Sequence, residues 1–341
     1  MDYRASIMRQ PEALETSRTA VITALEGIDL RSLTIGCVAV TGIGASLHAA
    51  VAAAAHLRTC GRRAYAICAT DLLDAAIDAS DVLIALSASG RSRETVEAVR
   101  LRPNVPSYSI SKETDNPLAA VVRSVVPVRS GDDGSPSTTS YTATLQAIGL
   151  LADRLSQPPS PTEWGTLPTL VQQTLTAVAK PAQRAADHLA GRVAIDFVGA
   201  GTALGTAGEA SLLVREGVRV PTASHDTLDF LHGPMEPLDA RTGLVVFGDG
   251  RECKLARDVA GFGCPTVLIT HRTDIEAERN LTVITVPATG NGLADAILDV
   301  LPVQLMVADL ADAAGLSGVG FRYRQTDTKL PVSSYEPTHN R

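Results

Sequence analysis

Leu33-Thr34-Ile35-Gly36-Cys37-Val38-Ala39-Val40-Thr41-Gly42-Ile43-Gly44-Ala45-Ser46, running into the alanine-rich segment from Leu47 to Thr59, decides how this chain is read. Leu33 to Val40 is an apolar run of the kind found in a strand buried on both faces. Thr41 to Ser46 holds two glycines that punctuate the chain, and Leu47 to Thr59 reads as helix. Strand, glycine turn and helix recur in that order in the second half. There Val193 to Val198 is the strand, Gly199-Ala200-Gly201-Thr202 the turn, and Ala203 to Glu216 the helix. The correspondence continues in step: Val82 to Leu86 with Leu244 to Phe247, Val105 to Ile110 with Thr266 to Thr270, and Val125 to Val128 with Leu281 to Val286. Each half closes on a long helical segment, Thr139 to Leu155 and Leu293 to Ala314.

Short apolar strands alternating with helices give the fold class α/β: two doubly wound, flavodoxin-like parallel-sheet domains related by internal duplication. The expected boundaries are a helical segment over 1–30, a first domain over 31–156, a linker and helix over 157–190, a second domain over 191–316 and a tail over 317–341. Gln157-Pro158-Pro159-Ser160-Pro161 cannot continue a helix and reads as the linker.

The 341 residues exceed one ordinary core. With 45% apolar and 20% charged residues and a mean hydropathy of +0.12, global disorder is excluded. A formal net charge of −7 and a pI near 5.5 argue against broad nucleic-acid binding, so an anionic ligand needs a locally suited pocket. The five cysteines, Cys37, Cys60, Cys68, Cys253 and Cys264, are odd in number and never spaced C-x-x-C. That pattern fits reduced thiols in a cytoplasmic protein, with neither a metal site nor a disulfide framework. The first fifteen residues hold no apolar block of the signal-peptide kind, and no stretch is long enough to span a membrane.

In open parallel sheets ligands sit beyond the carboxyl ends of the strands, where helices begin. Ser87-Ala88-Ser89-Gly90-Arg91-Ser92, with Thr95 one turn on, follows the strand ending at Leu86. Its hydroxyls and helix N-terminus suit phosphate oxygens, although Ser89 or Ser92 alone could simply cap the helix. The corresponding turn of the second half, Gly248-Asp249-Gly250-Arg251-Glu252, has no hydroxyl and adds carboxylates, so only the first turn is expected to take an anion. Thr41 to Ser46 lacks the third glycine of a dinucleotide fingerprint, where Leu47 stands, which disfavours a nicotinamide cofactor.

Gly217 is a natural helix stop and places Glu216 in the last turn, where the helix dipole opposes a negative charge and favours a base of raised pKa over a merely solvated carboxylate. Eight residues on, Ser224 is positioned to cap a short helix and Gly233-Pro234 ends it, leaving His232, sixteen residues after Glu216, at a rigid corner. The other histidines, including His48 and His271, read as ordinary hydrogen-bonding residues.

Taken together, Gly44-Ala45-Ser46, Ser87 to Ser92, Ser137-Thr138, Glu209 with Glu216 and Leu231-His232-Gly233-Pro234 resemble the double sugar isomerase (SIS) domain phosphosugar enzymes. The resemblance is to the isomerase half of glucosamine-6-phosphate synthase and to hexosamine-6-phosphate deaminases, and it spans most of residues 31–315. It implies that Ser46, Ser87, Ser89 and Ser92 hold a sugar phosphate, with Gly44, Ser137, Thr138 and Glu209 lining the substrate. It further implies that Glu216 moves the proton between C1 and C2 and that His232 assists ring opening, reaching the site from a second subunit of a homodimer with a shared active site. Lys329 falls near the family's C-terminal active-site lysine. Three departures stand out: Ala88 replaces a phosphate-binding glutamine, Leu213 a lysine near the base, and Arg91 a glutamate, which either brings positive charge beside the phosphate or lies solvated. No cofactor and no metal are implied. The expected activity is aldose-ketose isomerisation or deamination of a hexosamine 6-phosphate. The alternatives are dehydration of the N-acetylated sugar, a silent sugar-phosphate sensor, and, more weakly, a nicotinamide-dependent oxidoreductase.

Overall fold

Val82-Leu83-Ile84-Ala85-Leu86 is buried at every position, as a central strand of a parallel sheet covered on both faces requires. The computed structural model describes residues 1–74, 78, 80–156, 164–323 and 325–331; the proline-rich stretch read as a linker lies outside the described residues. The chain divides into two compact units. The first comprises Ala13–Gly131, Ser140–Pro161 and Tyr323–Arg341, and the second Met1–Glu12, Asp132–Thr139 and Thr162–Arg322.

The first unit takes most of α2 (Gln10–Glu26) and α6 (Thr139–Leu155), preceded in the chain by α1 (Tyr3–Met8) of the second unit. It also holds α3 (Arg31–Ile35), α4 (Ala45–Thr59) and α5 (Arg93–Arg100). Its sheet contains β1 (Val38–Gly42), β2 (Ala64–Cys68), β3 (Val82–Leu86), β4 (Ser107–Ser111) and β5 (Ser124–Pro127). These strands are all parallel, in the order β2-β1-β3-β4-β5. Ala39, Leu83 and Ala85 pack with Val96 and Val99 of α5 into a core on one face.

The second unit holds α7 (Leu167–Leu189), α8 (Thr202–Gly217), α9 (Thr227–Phe230), α10 (Arg251–Gly261) and α11 (Gly292–Ala313). Its strands are β6 (Ile195–Gly199), β7 (Thr222–Asp226), β8 (Gly243–Phe247), β9 (Thr266–Thr270) and β10 (Leu281–Thr285), in the order β10-β9-β8-β6-β7. Counted from its own first strand, that is the order 2-1-3-4-5 of the first unit read from the other edge. The chain is thus α/β with two parallel five-stranded sheets, wound alike.

Three local expectations are corrected. Leu33 to Val40 is not one strand, because Arg31–Ile35 is α3, Gly36 ends it, and the strand begins at Val38. The apolar run misleads because Leu33 is buried while Ile35 is 83% exposed, a helical disposition. Ser224 does not cap the short helix. It lies within β7, and Asp226 is the cap, accepting from the amides of Leu228 and Asp229. The edge strands β2 and β7 are additions to the strands read from the sequence, and each is largely half-buried; β7, Thr-Ala-Ser-His-Asp, has no apolar run to read, whereas β2, Ala-Tyr-Ala-Ile-Cys, is apolar throughout.

Candidate active site

The order 2-1-3-4-5 places the reversal of winding between β1 and β3, so the turns following those two adjacent strands lie side by side at the carboxyl edge of the first sheet, where open parallel sheets bind their ligands. After β1, Gly44 has φ +60 and accepts from the amides of Leu47 and His48, starting α4 with Ser46 in its first turn. Gly42 has no room for a side chain, since a Cβ there would lie 2.7 Å from that of Ser46. After β3, Ser87 is buried and its hydroxyl donates to Ser92 Oγ at 3.2 Å. Ser89 Oγ accepts from the Arg91 amide at 3.3 Å.

Gly90 has φ +62, and a Cβ on it would meet Asn116 Oδ1 at 2.0 Å, so only glycine lets the Asn116 segment brace the loop. That segment also donates from the Leu118 amide to Gly90 O at 2.9 Å. Ser92 is the N-cap of α5 but makes no capping hydrogen bond with its side chain. Its hydroxyl is therefore directed at Ser87 and not at the helix amides.

Lys329 joins this loop through an antiparallel bridge with Ser92. Arg91 is turned to the same C-terminal segment, its Nε donating to Leu330 O at 2.6 Å, and is neither simply solvated nor left idle beside the turn. The buried hydroxyls of Thr41, at the end of β1, and Thr95, in the first turn of α5, find no hydrogen-bond partner. His48, in the first turn of α4, is held down to about 4 by burial, hence neutral at physiological pH. Sequence reasoning passed over Thr41 and His48, although both stand in or beside the glycine turn. Among the described residues of this loop region, then, the structure brings together Ser87, Ser92 and Lys329, with Gly44 and Ser46 on the neighbouring turn.

In the second unit, Glu209 and Glu216 are seven residues apart on α8, hence on one face. Burial pushes the half-buried Glu216 up to about 7. Glu209 is 1% exposed, its Oε2 has no hydrogen-bond partner, and burial, followed by the charges of Glu216 and Asp133, holds it well above the carboxyl range. Tyr3 of α1, 3% exposed, is raised by burial first and then by Glu209, Asp133 and Glu216, which places its ring in the same acidic neighbourhood. Asp133 Oδ1 accepts from the amides of Gly134, Thr138 and Thr139, organising the entry to α6.

Thr138 is fully buried, its hydroxyl bonded to that same oxygen at 2.8 Å and to Ser6 Oγ at 2.9 Å; Ser137 beside it is half-buried. His232 is exposed on the corner after α9, with its amide bonded to Asp229 O, while Leu231 and Met235 on either side pack against the unit's core. The corner thus presents His232 outward by burying its neighbours.

The matching edge of the second sheet has the opposite chemistry. Asp249, after β8, accepts from Thr270 Oγ1 at 2.6 Å, from the His271 amide at 2.7 Å and from His271 Nδ1 at 2.9 Å. His271 Nε2 lies 3.3 Å from Asp299 Oδ1 of α11, an ion-pair distance outside hydrogen-bonding geometry. The Asp299 carboxylate, opposed by burial and assisted by Asp249, raises His271 to about 9. Carboxylates and an imidazolium here replace the hydroxyl turn. Among the described residues no cluster fits a metal ion, all five cysteines are free thiols, and no helix is long and apolar enough to cross a membrane.

Residues 36–154 match the family model of the SIS domain. A glutamine–fructose-6-phosphate aminotransferase (isomerizing) of Sulfolobus acidocaldarius is 24% identical over 258 residues, 74% of this chain and 44% of the relative. The chain therefore spans less than half the length of that relative. Among solved structures, the C-terminal domain of glucosamine-fructose-6-phosphate aminotransferase from Francisella tularensis aligns with a TM-score of 0.83 at 17% identity, covering 94% of this chain and 98% of that one. Glucosamine-6-phosphate deaminase from Thermotoga maritima aligns at 0.69 and 17% identity, covering 91% and 96%. The likeness to these structures is one of fold. The match over these residues and the parallel five-stranded α/β unit they build agree: residues 36–154 are a SIS domain.

Proposed function

We propose that this chain acts on a hexosamine 6-phosphate by abstracting its C2 proton, as an aldose-ketose isomerase or deaminase. In this reading the whole chain is a double SIS protein, with domains over 31–156 and 191–316 derived by duplication, working as a cytoplasmic homodimer. Ser46, Ser87, Ser89 and Ser92 hold the phosphate, with Gly44 giving the ligand access to the backbone. Glu216 is the base, His232 opens the ring, and Lys329, Ser137, Thr138 and Glu209 belong to the substrate's surroundings. The observation that carries the reading is the pair Ser87 and Ser92, whose hydroxyls face each other at the head of α5 with the helix amides left uncapped by them. A carboxyl near 7 supports Glu216 as base, since proton transfer is most effective when the catalytic pKa lies close to the working pH.

The test is incubation with glucosamine 6-phosphate and its N-acetyl form in deuterated buffer, following the C2 proton, ammonia and ultraviolet absorbance. Exchange at C2 with ammonia release is the expected result. It should be lost in Glu216→Gln, and in the native protein kcat/KM should rise about tenfold per pH unit below 7 and level off above it. Full turnover by Glu216→Gln removes the assigned base. Tight binding without exchange makes the protein a sensor, and a requirement for NAD makes it an oxidoreductase.

Elimination of water is the second reading, favoured by Glu209. As a buried acid whose pKa burial raises, it is suited to donate a proton to a departing C3 hydroxyl while Glu216 takes the C2 proton. The fully buried Leu213, where the family has a lysine, removes a cation that straightforward isomerisation would use. A new absorbing product without ammonia is its signature.

A further inference from the structure

Residues 327–330 run antiparallel to the start of α5, with Lys329 bridged to Ser92. The Arg93 amide donates to Thr328 O at 3.1 Å and the Leu330 amide to Arg91 O at 2.9 Å. A one-residue bridge of this kind is a weak tether for an exposed chain end. Two guanidinium groups add to it: Arg91 Nε donates to Leu330 O at 2.6 Å and Arg93 Nε to Asp327 O at 2.8 Å. These contacts fall on either side of Lys329, one residue after it and two before. The Leu330 side chain completes the attachment by packing against the first unit's core cluster, which includes Leu72 and Val96.

Charged donors make stronger hydrogen bonds than backbone amides do, and a planar guanidinium fixes the direction of its Nε–H where a lysine would leave it free. Lys329 itself is exposed, with its ammonium unpaired to any carboxylate among the described residues. The lysine is therefore placed by what holds the chain around it and not by contacts of its own ammonium group.

We propose that Arg91 and Arg93 form a two-point latch that docks the segment 327–330 on the hydroxyl turn, and that both are positioning residues for Lys329. The role of Lys329 in turnover rests on the phosphosugar reading above; the docking itself does not. Arg91, which the sequence sets either beside the phosphate or in solvent, is here committed with Arg93 to main-chain carbonyls of the chain's own C-terminal segment.

The test combines hydrogen–deuterium exchange of residues 325–331 in the full-length protein with turnover of glucosamine 6-phosphate. In Arg91→Gln/Arg93→Gln the Leu330 amide should exchange about tenfold faster or more, because two charge-assisted bonds are lost. Its kcat should fall at least tenfold while KM changes less than about threefold, since the serines of the turn are untouched. Arg93 is exposed, so Arg93→Ala carries little folding risk and should give an intermediate exchange rate; Arg93→Lys should recover only part of the docking. Lys329→Met should lower kcat without altering exchange. Unchanged exchange in the double variant, or in Arg93→Ala if the double variant does not fold, overturns the latch. Faster exchange with kcat intact, beside an inactive Lys329→Met, overturns the positioning role. Full turnover by Lys329→Met, or no turnover by the native protein, refutes the phosphosugar role of Lys329 while exchange still decides the docking.

Discussion

Glu209 and Glu216 share one face of α8 and differ in how far water reaches them. Glu216, half-buried, is raised to about 7, and Glu209, 1% exposed and with an orphaned oxygen, is held well above the ordinary carboxyl range by burial first and then by the neighbouring Glu216 and Asp133 charges. An acid kept neutral in the folded state but ionised in the unfolded one opposes folding once the pH exceeds the unfolded pKa, about 4.3. Glu209→Gln keeps the shape and removes the titration. The variant should therefore be more stable than the native protein at pH 8, with the gain vanishing near pH 4. Urea unfolding at the two pH values measures it, and a gain of equal size at both would show that burial of the acid is not the cause. The sequence showed Glu216 in a last turn and hence its unfavourable dipole. It could not show that burial is the larger effect, because that depends on residues remote in the chain. Nor could it show that Tyr3, near the start of the chain, belongs to the same neighbourhood.

At the scale of elements, His271 ties three of them together: the turn after β8 through Asp249, the end of β9, and α11 through Asp299. Its folded pKa near 9 lies above the unfolded 6.5, so the tie contributes fully below pH 6.5 and is lost as the pH rises through 9. The native protein should lose on the order of 1–3 kcal/mol more than His271→Asn between pH 6.5 and 9.5, read from denaturant midpoints. Parallel pH profiles for the two proteins would remove the ion tie from the account.

The sequence reading dismissed this histidine because a lone His after a strand has no signature of its own; its partners stand 22 positions before it and 28 after. The central strands were legible for a simple reason: β3, β8 and β9 are buried throughout and read as continuous apolar runs. Edge strand β7 is half-buried and mostly polar and lacks that run, while β2 has an apolar run but is half-buried at four of its five positions. Leu33 to Ile35 failed in the opposite way, since two apolar residues around Thr34 cannot distinguish a two-faced strand from a one-sided helical turn.

The whole molecule is not divided at the middle of its sequence. Met1–Glu12 belongs to the second unit, and the C-terminal segment from Tyr323 belongs to the first. Within the second unit, Tyr3 and Ile7 are buried, and Gln10 Nε2 donates to Gln304 Oε1 at 2.8 Å between two fully buried side chains. Arg4 pairs with Asp309 and Asp312 at the surface, which adds little by comparison. Deleting residues 1–12 should lower the melting temperature by roughly 5–10 °C through lost apolar burial and the severed glutamine pair, and should expose β6 through α11 to protease first. A truncated protein that melts with the native one would mean that this helix is merely appended. The repeated alternation of strand and helix was readable from the sequence apart from β2 and β7, but this exchange of chain ends between units was not, because hydrophobic patterning reports burial and not the partner.

The two sheets share one winding scheme, and at the same corner of each the chemistry is reversed: hydroxyls and helix amides in one, a carboxylate clasping an imidazolium in the other. On the proposed reading an oxyanion has one berth on this chain and none at the carboxylate-lined corner, so saturation at a single equivalent per polypeptide is the expected titration result, whatever symmetry the backbone suggests.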